Sequence, residues 1–314
     1  MAKLLDALLL LLLILSLVLL GYKFYELTPQ EQKDLSIFIT NSELPQANAS
    51  SELVMFMPNM RFDTNKLSYY FSDCEQEKQD RVLEAFSIVS NQTQVISFYE
   101  INSEETAKIK VYCSDTKKPT RNNTFVAGEG GPDSLINLSL YPLINSGQIY
   151  LYGTQNKAQC DYPVVETHEL MHVFGFDHLQ DKESVLYPYV SCEQKITPEI
   201  ISELKRLYSI EPKSDLWIKR ANVSKGGIYL NFEISIENRG LISATVVELE
   251  IYDNTNNRKI GNFSMQKLEP GTTNTLTLQN FKLPSRNINN LRFVVKTQTP
   301  EFFYENNEFI AKLN

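Results

Sequence analysis

The sequence predicts an α+β unit followed by an all-β sandwich, both behind an apolar N-terminal segment. Three observations predict this. Strand-like and helix-like patterns alternate from about residue 52 to residue 212, whereas from Asp215 onward only short strands and turns recur. An apolar run from Ala7 to Tyr22 lies between Asp6 and Lys23. The division is therefore 1–23 as a membrane segment, 24–51 as a polar stalk without clear period, 52–212 as the α+β domain and 213–314 as the sandwich. A chain of 314 residues has room for about two domains.

Two readings of the N-terminus compete. A cleaved signal peptide has a shorter apolar core and a small-x-small site, and no good site lies between Leu20 and Leu27. Leu4 and Leu5 extend the run toward the ~20 residues of a spanning helix. This favours an uncleaved single-pass anchor with Lys3 in the cytoplasm and the folded domains outside, over secretion after cleavage; Lys23 makes the charge bias weak. The net charge of −8 and the lack of a basic cluster argue against nucleic acid as a partner. Cys74, Cys113, Cys160 and Cys192 are too scattered for a cysteine metal cluster, and an even count in an exported chain suggests two disulfides in one of three connectivities. Sequons at Asn48, Asn91, Asn122, Asn137, Asn222 and Asn262 suit an exported surface.

In the α+β region, Leu67–Ser72 reads as a strand. Val82, Leu83, Phe86 and Val89 have helical spacing within Arg81–Val89. Ile96–Ile101 and Ile109–Tyr112 are strands rich in β-branched and aromatic residues. A glycine-rich loop is expected at Gly128–Gly131, then a strand at Gln148–Tyr152 with Ile149 and Leu151 on one face and the two tyrosines on the other. A helix starts near Pro163 or Val164. The last helix has Thr197 as cap and Pro198 in the first turn, and is expected to bury Ile201, Leu204 and Tyr208.

The chain's three histidines, His168, His172 and His178, all fall within residues 168–178. His168 and His172, four apart on a helix, point to one side. Glycine readily takes the left-handed conformation at a helix end, so Gly175 can turn the chain back and bring His178 to the same point. Three imidazoles and a water make a catalytic zinc site, in which the metal lowers the water's pKa to about 7. Glu169, next to the first ligand, is placed to accept that water's proton. Asp177 has two readings, a partner that orients a histidine and a solvated turn residue.

The run follows His-Glu-x-x-His-x-x-Gly-x-x-His. With Ser184-Val185-Leu186-Tyr187-Pro188 and a final helix ending in Leu207-Tyr208, residues 52–212 resemble the matrixin catalytic domain of the metzincin clan. The resemblance implies a mixed twisted sheet with three helices, one catalytic Zn2+ held by His168, His172 and His178, Glu169 as general base, and a protein or peptide substrate. Leu186 stands where the family has the methionine of the turn beneath the metal, a swap that costs under about 1.5 kcal/mol. Pro188 is followed directly by Tyr189, so the tyrosine of the family's Pro-x-Tyr wall is displaced by one position. The element order further implies the pairs Cys74–Cys113 and Cys160–Cys192.

From residue 213 on, strands are expected at Leu216–Val223, Ile228–Ile236, Thr245–Tyr252, Thr275–Leu278 and Leu291–Lys296. Glu237-Asn238-Arg239-Gly240, Leu268-Glu269-Pro270-Gly271-Thr272 and Glu305-Asn306-Asn307 resemble the CARDB-type module, an immunoglobulin-like sandwich of prokaryotic surface proteins. That resemblance implies a spacer or adhesion module contacting a cell-surface or envelope component. The expected whole is a membrane-anchored, outward-facing zinc endopeptidase. The rival is a catalytically silent surface adhesin with a structural zinc, against which the retention of Glu169 argues.

Overall fold

The computed structural model describes residues 33–38, 53–119, 125–153 and 160–313, the first stretch as backbone alone. The described residues divide into two compact units. One comprises those between 43 and 213 together with 239–242; the other comprises 33–38, 214–238 and 243–313. The expected membrane segment, 1–23, lies outside the described residues, among which no helix is long and apolar enough to cross a membrane.

The first strand, β1 (Lys33–Phe38), belongs to the second unit. The α+β unit contains β2 (Arg61–Phe62), β3 (Lys66–Ser72), β4 (Ser97–Glu100), β5 (Ile109–Cys113), the short antiparallel pair β6 (Lys118–Pro119) and β7 (Phe125–Val126), β8 (Gly128–Ile136) and β9 (Leu143–Leu151). Its main sheet runs β4-β3-β5-β9, all parallel, with β8 antiparallel along the other side of β9 and β2 parallel to the start of β9. At the end of β9, Ile149 and Leu151 are buried while Tyr150, and Tyr152 just past the strand, are half-buried, the alternation expected of a strand with one face on a core.

The glycine-rich stretch is not a loop. Gly128–Gly131 opens β8 and pairs with Leu151–Gln148 of β9. Glycine and proline normally weaken strands, so the local composition pointed the other way. The cause is a close approach to a helix, taken up below.

Three helices pack on this sheet: α1 (Gln76–Thr93), α2 (Val164–Val173) and α3 (Pro198–Tyr208). On α1, Val82, Ala85, Phe86 and Val89 are buried, and Phe86 stacks on Phe98 of β4 at 4.3 Å. On α3, the buried set is Ile200, Leu204, Leu207 and Tyr208; the face is rotated so that Ile201 is only half-buried. Thr197 does occupy the N-cap position but makes no side-chain capping bond, so Pro198 and the extended backbone alone start the helix. The far end of α3 is held by Arg61, whose guanidinium is buried and donates to the carbonyls of Leu207 and Ile210. The Tyr208 hydroxyl accepts the Phe62 N–H at 3.1 Å. Cys74 is bonded to Cys113, joining the ends of the parallel neighbours β3 and β5, and Cys160 is bonded to Cys192.

The second unit adds β10 (Leu216–Gly226), β11 (Tyr229–Asn238), β12 (Val247–Asp253), β13 (Arg258–Met265), β14 (Thr273–Lys282), β15 (Asn290–Lys296) and β16 (Glu308–Lys312). Two antiparallel four-stranded sheets result, β1-β10-β11-β14 and β13-β12-β15-β16, and their inner faces share one core in which Phe232 meets Phe293 at 5.6 Å. The segment expected as stalk therefore supplies an edge strand, Lys33–Phe38 pairing with Lys225–Arg220. The strands β13 and β16 were not among those expected: Gly261 and Asn262 interrupt β13, and β16 has only five residues.

The soft motifs of this unit act as braces. Buried Asn238 accepts the Asp215 N–H and donates to the Leu268 carbonyl, and its own carbonyl accepts from Gly271. Buried Glu301 accepts the Leu216 N–H and an Asn307 amide hydrogen, each at 2.8 Å.

Candidate metal centre

The sequence makes α2 almost wholly apolar or small around its ligands, and the helix is buried from Glu166 to Val173. It ends at Gly175, whose φ of +89° reverses the chain. An added Cβ there would meet Met60 Sδ at 2.6 Å, so glycine is required by space as well as by conformation. The returning segment is held by a short antiparallel bridge: Phe56 N–H donates to Gly175 O at 2.8 Å and Asp177 N–H to Val54 O at 2.9 Å. The Phe56 ring lies over the His172 ring at 6.0 Å. The Asp177 carboxylate accepts the His178 backbone N–H at 2.7 Å and stands 3.9 Å from Nδ1 of His178, which makes it chiefly a turn brace.

These constraints bring the three imidazoles together. Nε2 of His168 lies 2.9 Å from Nε2 of His172, and Nε2 of His178 lies 3.3 Å from each. Zn–N bonds of about 2.0–2.1 Å in a tetrahedral arrangement put ligand nitrogens roughly 3.3 Å apart. The Nδ1 atoms of His168 and His172 face the carbonyls of Val185 and Phe176 at 2.6 and 2.7 Å. A carbonyl only accepts, so both rings carry their proton on Nδ1 and turn the Nε2 lone pair inward. Burial, the His172 ring and the His178 ring push His168 down to about 4, and burial also lowers His172, which keeps both rings neutral as a metal requires. The donor set, its spacing and its tautomers fit zinc.

Glu169 is buried beside this cluster. Its burial, reinforced by Glu129, pushes its carboxyl up to about 8 against the opposing hydrogen bond from the Gly130 N–H. The strand β8 crosses α2 at this residue. A Cβ on Gly130 would lie 2.2 Å from the Glu169 carbonyl oxygen, and one on Gly128 2.7 Å from Glu169 Cγ. The glycines therefore let an edge strand touch the helix at the glutamate. Neither was singled out as a site residue from sequence; their alternation within a strand was the available signal.

Beneath the cluster, Ser184–Tyr187 forms the expected turn. Leu186 is fully buried, its carbonyl accepts the Leu179 N–H at 3.0 Å, and Val185 supplies the acceptor for His168. Pro188 is exposed, and Tyr189 after it is 72% exposed.

Two imidazoles from one helix and a third from the turn that follows are positioned to hold a metal ion, with a buried carboxyl group alongside. Residues 61–209 match the Matrixin peptidase family, a zinc-dependent family, and this match supports a metzincin-like zinc metallopeptidase domain over that stretch. No curated protein matches the chain.

Proposed function

We propose that this chain is a zinc-dependent endopeptidase in which Glu169 is the general base. The observation that carries the reading is the convergence of three imidazole Nε2 atoms within 2.9–3.3 Å beside a buried glutamate. One zinc ion, held by His168, His172 and His178, supplies Lewis acidity toward the scissile carbonyl and an acidified water. The positive charge of a bound zinc would oppose the effect of burial on Glu169, and its carboxylate would then accept the proton of the attacking water and return it to the departing amine. The Gly130 N–H donates to its carboxyl group and orients it. The Val185 and Phe176 carbonyls fix the rings of His168 and His172. Leu186 provides a rigid apolar floor.

The location completes the proposal. The apolar residues 1–23 anchor the chain, the peptidase domain faces the outside, and the sandwich serves as a CARDB-like spacer or adhesion module toward a surface or envelope partner. Two disulfides fit an oxidising compartment.

The test is Glu169→Gln in the full chain. Zinc content is expected to stay at one per chain while cleavage of a diverse peptide pool falls by roughly 10²–10⁴-fold, the usual worth of a general base. A wild-type chain that binds zinc yet cleaves no member of the pool supports the silent adhesin instead.

A further inference from the structure

We propose that one end of the sandwich is a basic docking surface for anionic lipid headgroups, and that it lies against the membrane in which residues 1–23 are anchored. The proposal rests on the anchored reading above and names a surface that the sandwich meets. Strand pairing defines this end. In one sheet, Lys33 of β1 is opposite Lys225 of β10, Gly226 is opposite Tyr229 of β11, and Tyr229 is opposite Lys282 of β14. In the other sheet, Asp253 of β12 is opposite Arg258 of β13 and Leu291 of β15, and Asn290 is opposite Lys312 of β16. Residues 283–289 cross from one sheet to the other here. Lys225 Nζ ties that crossing to the hairpin of the first sheet, donating to the Arg286 carbonyl at 2.6 Å and to Asn289 Oδ1 at 2.5 Å.

Five cations therefore gather at this end: Lys225, Arg258, Lys282, Arg286 and Lys312. Within 225–229, 253–258, 282–290 and 312 the one acidic side chain is Asp253, which is buried. Arg258, Lys282 and Lys312 are exposed and make no ion pair among the described residues. Burial, and after it the neighbouring Arg286, lowers the Lys225 ammonium, as crowded cations do. The opposite end is balanced. There Lys219 pairs with Glu237 at 3.2 Å and Lys267 with Glu269 at 2.7 Å. One end alone thus offers uncompensated positive charge to an anionic partner.

The chain itself brings a lipid surface to this end. Nine residues, 24–32, separate Lys23 from Lys33. At about 3.3–3.6 Å per residue they reach no further than roughly 30 Å. The strand they lead into, β1, enters the sandwich at the basic end, opposite Lys225. The junction contributes Glu26, Glu31 and Asp34, but also Lys23 and Lys33, so basic side chains still exceed acidic ones by seven to four. Near an anionic bilayer each lysine or arginine favours the bound state by about fivefold. Residues 253–258 and 283–290 contain none of the exposed large apolar side chains, so the contact is electrostatic and lacks the apolar face of an inserting segment.

The test reconstitutes the full chain in vesicles of phosphatidylcholine alone or of an equimolar mixture with phosphatidylglycerol. The acetylation rate of each lysine is followed by mass spectrometry. Lys282 and Lys312 are expected to react about fivefold or more slowly on the anionic vesicles, with Lys219 and Lys267 at the opposite end unchanged. Salt at about 1 M, where the screening length is ~3 Å, is expected to abolish the difference. Arg258→Gln/Lys312→Gln is expected to reduce the protection of Lys282 several-fold. Lys219→Gln/Lys267→Gln, which removes the same amount of charge from the other end, is expected to leave it in place. Equal protection at the two ends, or protection that the first variant leaves intact, overturns the surface. Extraction with alkaline carbonate tests the anchor separately. A chain that is extracted yet still sediments with the anionic vesicles, in a salt-sensitive manner, keeps the surface and loses the anchor. One that resists extraction while no lysine is protected keeps the anchor and loses the surface.

Discussion

The two units bury polar groups in opposite ways. In the sandwich, buried Asn238 and Glu301 spend their side-chain hydrogen bonds on backbone groups and on the Asn307 amide. In the α+β unit, His168 and His172 each spend one ring nitrogen on a carbonyl and turn the other toward a shared point, with Glu169 buried alongside. Burial alone does not mark function. What separates the two regions is whether a buried group keeps a free valence aimed at space that other free valences share.

The strongest way to break this contrast is to remove the metal or one of its ligands. His172→Ala is expected to reduce peptide cleavage by about a thousandfold or more, since two imidazoles no longer close the site. With zinc at about a thousand times its Kd, the ion contributes about 4 kcal/mol to the folded α+β unit. Calorimetry with and without chelator is therefore expected to lower one unfolding transition and leave that of the sandwich in place. A chelator that moves neither transition contradicts the site.

The two disulfides sharpen the comparison within the α+β unit. They close loops of similar sequence separation, 39 residues for Cys74–Cys113 and 32 for Cys160–Cys192. Chain entropy assigns each about 4 kcal/mol. Replacing either pair by serine is expected to cost similar stability, read from denaturant midpoints. Activity is expected to fall further for the second pair, because Cys160 precedes α2 and Cys192 follows the turn beneath the ligands. Equal activity losses at equal stability contradict that assignment.

In the sandwich, a pH titration of stability is the corresponding probe. Burial, with Asp215 adding to it, pushes Glu301 up to about 7, although the Leu216 N–H and the Asn307 amide oppose the shift. The folded unit then holds this proton more tightly than the unfolded chain, where a glutamate titrates near 4.3. This group's contribution to stability is expected to be complete below about pH 4, to be lost as pH rises through about 7, and to be absent above about pH 8, a fall on the order of 3 kcal/mol. Glu301→Gln is expected to flatten this slope in the transition assigned to the sandwich. An unchanged slope shows that the carboxyl group is not protonated in the folded protein.

How much of this was readable in advance follows from the range of each interaction. The ligand set is local in sequence, and the spacing of His168, His172, Gly175 and His178 displays it directly. Helix existence was also local, but the turn-by-turn face of α3 was set by what covers it, so Ile200 rather than Ile201 is buried. Arg61 could not be read at all: its partners are the carbonyls of Leu207 and Ile210 at the far end of the unit. The edge strand β1 was hidden in a polar stretch, and its partner β10 lies about 180 residues further along the chain.

The misread glycines of β8 give the finest test, because neighbouring positions make opposite predictions. A Cβ at Gly130 would stand 2.2 Å from the Glu169 carbonyl oxygen, while at Gly131 it would meet nothing within 4 Å. Both are strand residues paired to β9, so loss of backbone freedom affects them alike. Gly130→Ala is expected to cost about 2–3 kcal/mol, since backbone rather than a flexible side chain has to move, and to lower kcat by displacing Glu169 from the N–H that orients it. Gly131→Ala is expected to stay within about 0.5 kcal/mol of the parent, with cleavage unchanged. Paired melting curves and cleavage rates decide between close approach and mere loop flexibility as the reason for these residues. If the two variants behave alike, the contact between β8 and α2 does not position the base, and the glycines return to the role that composition alone assigned them.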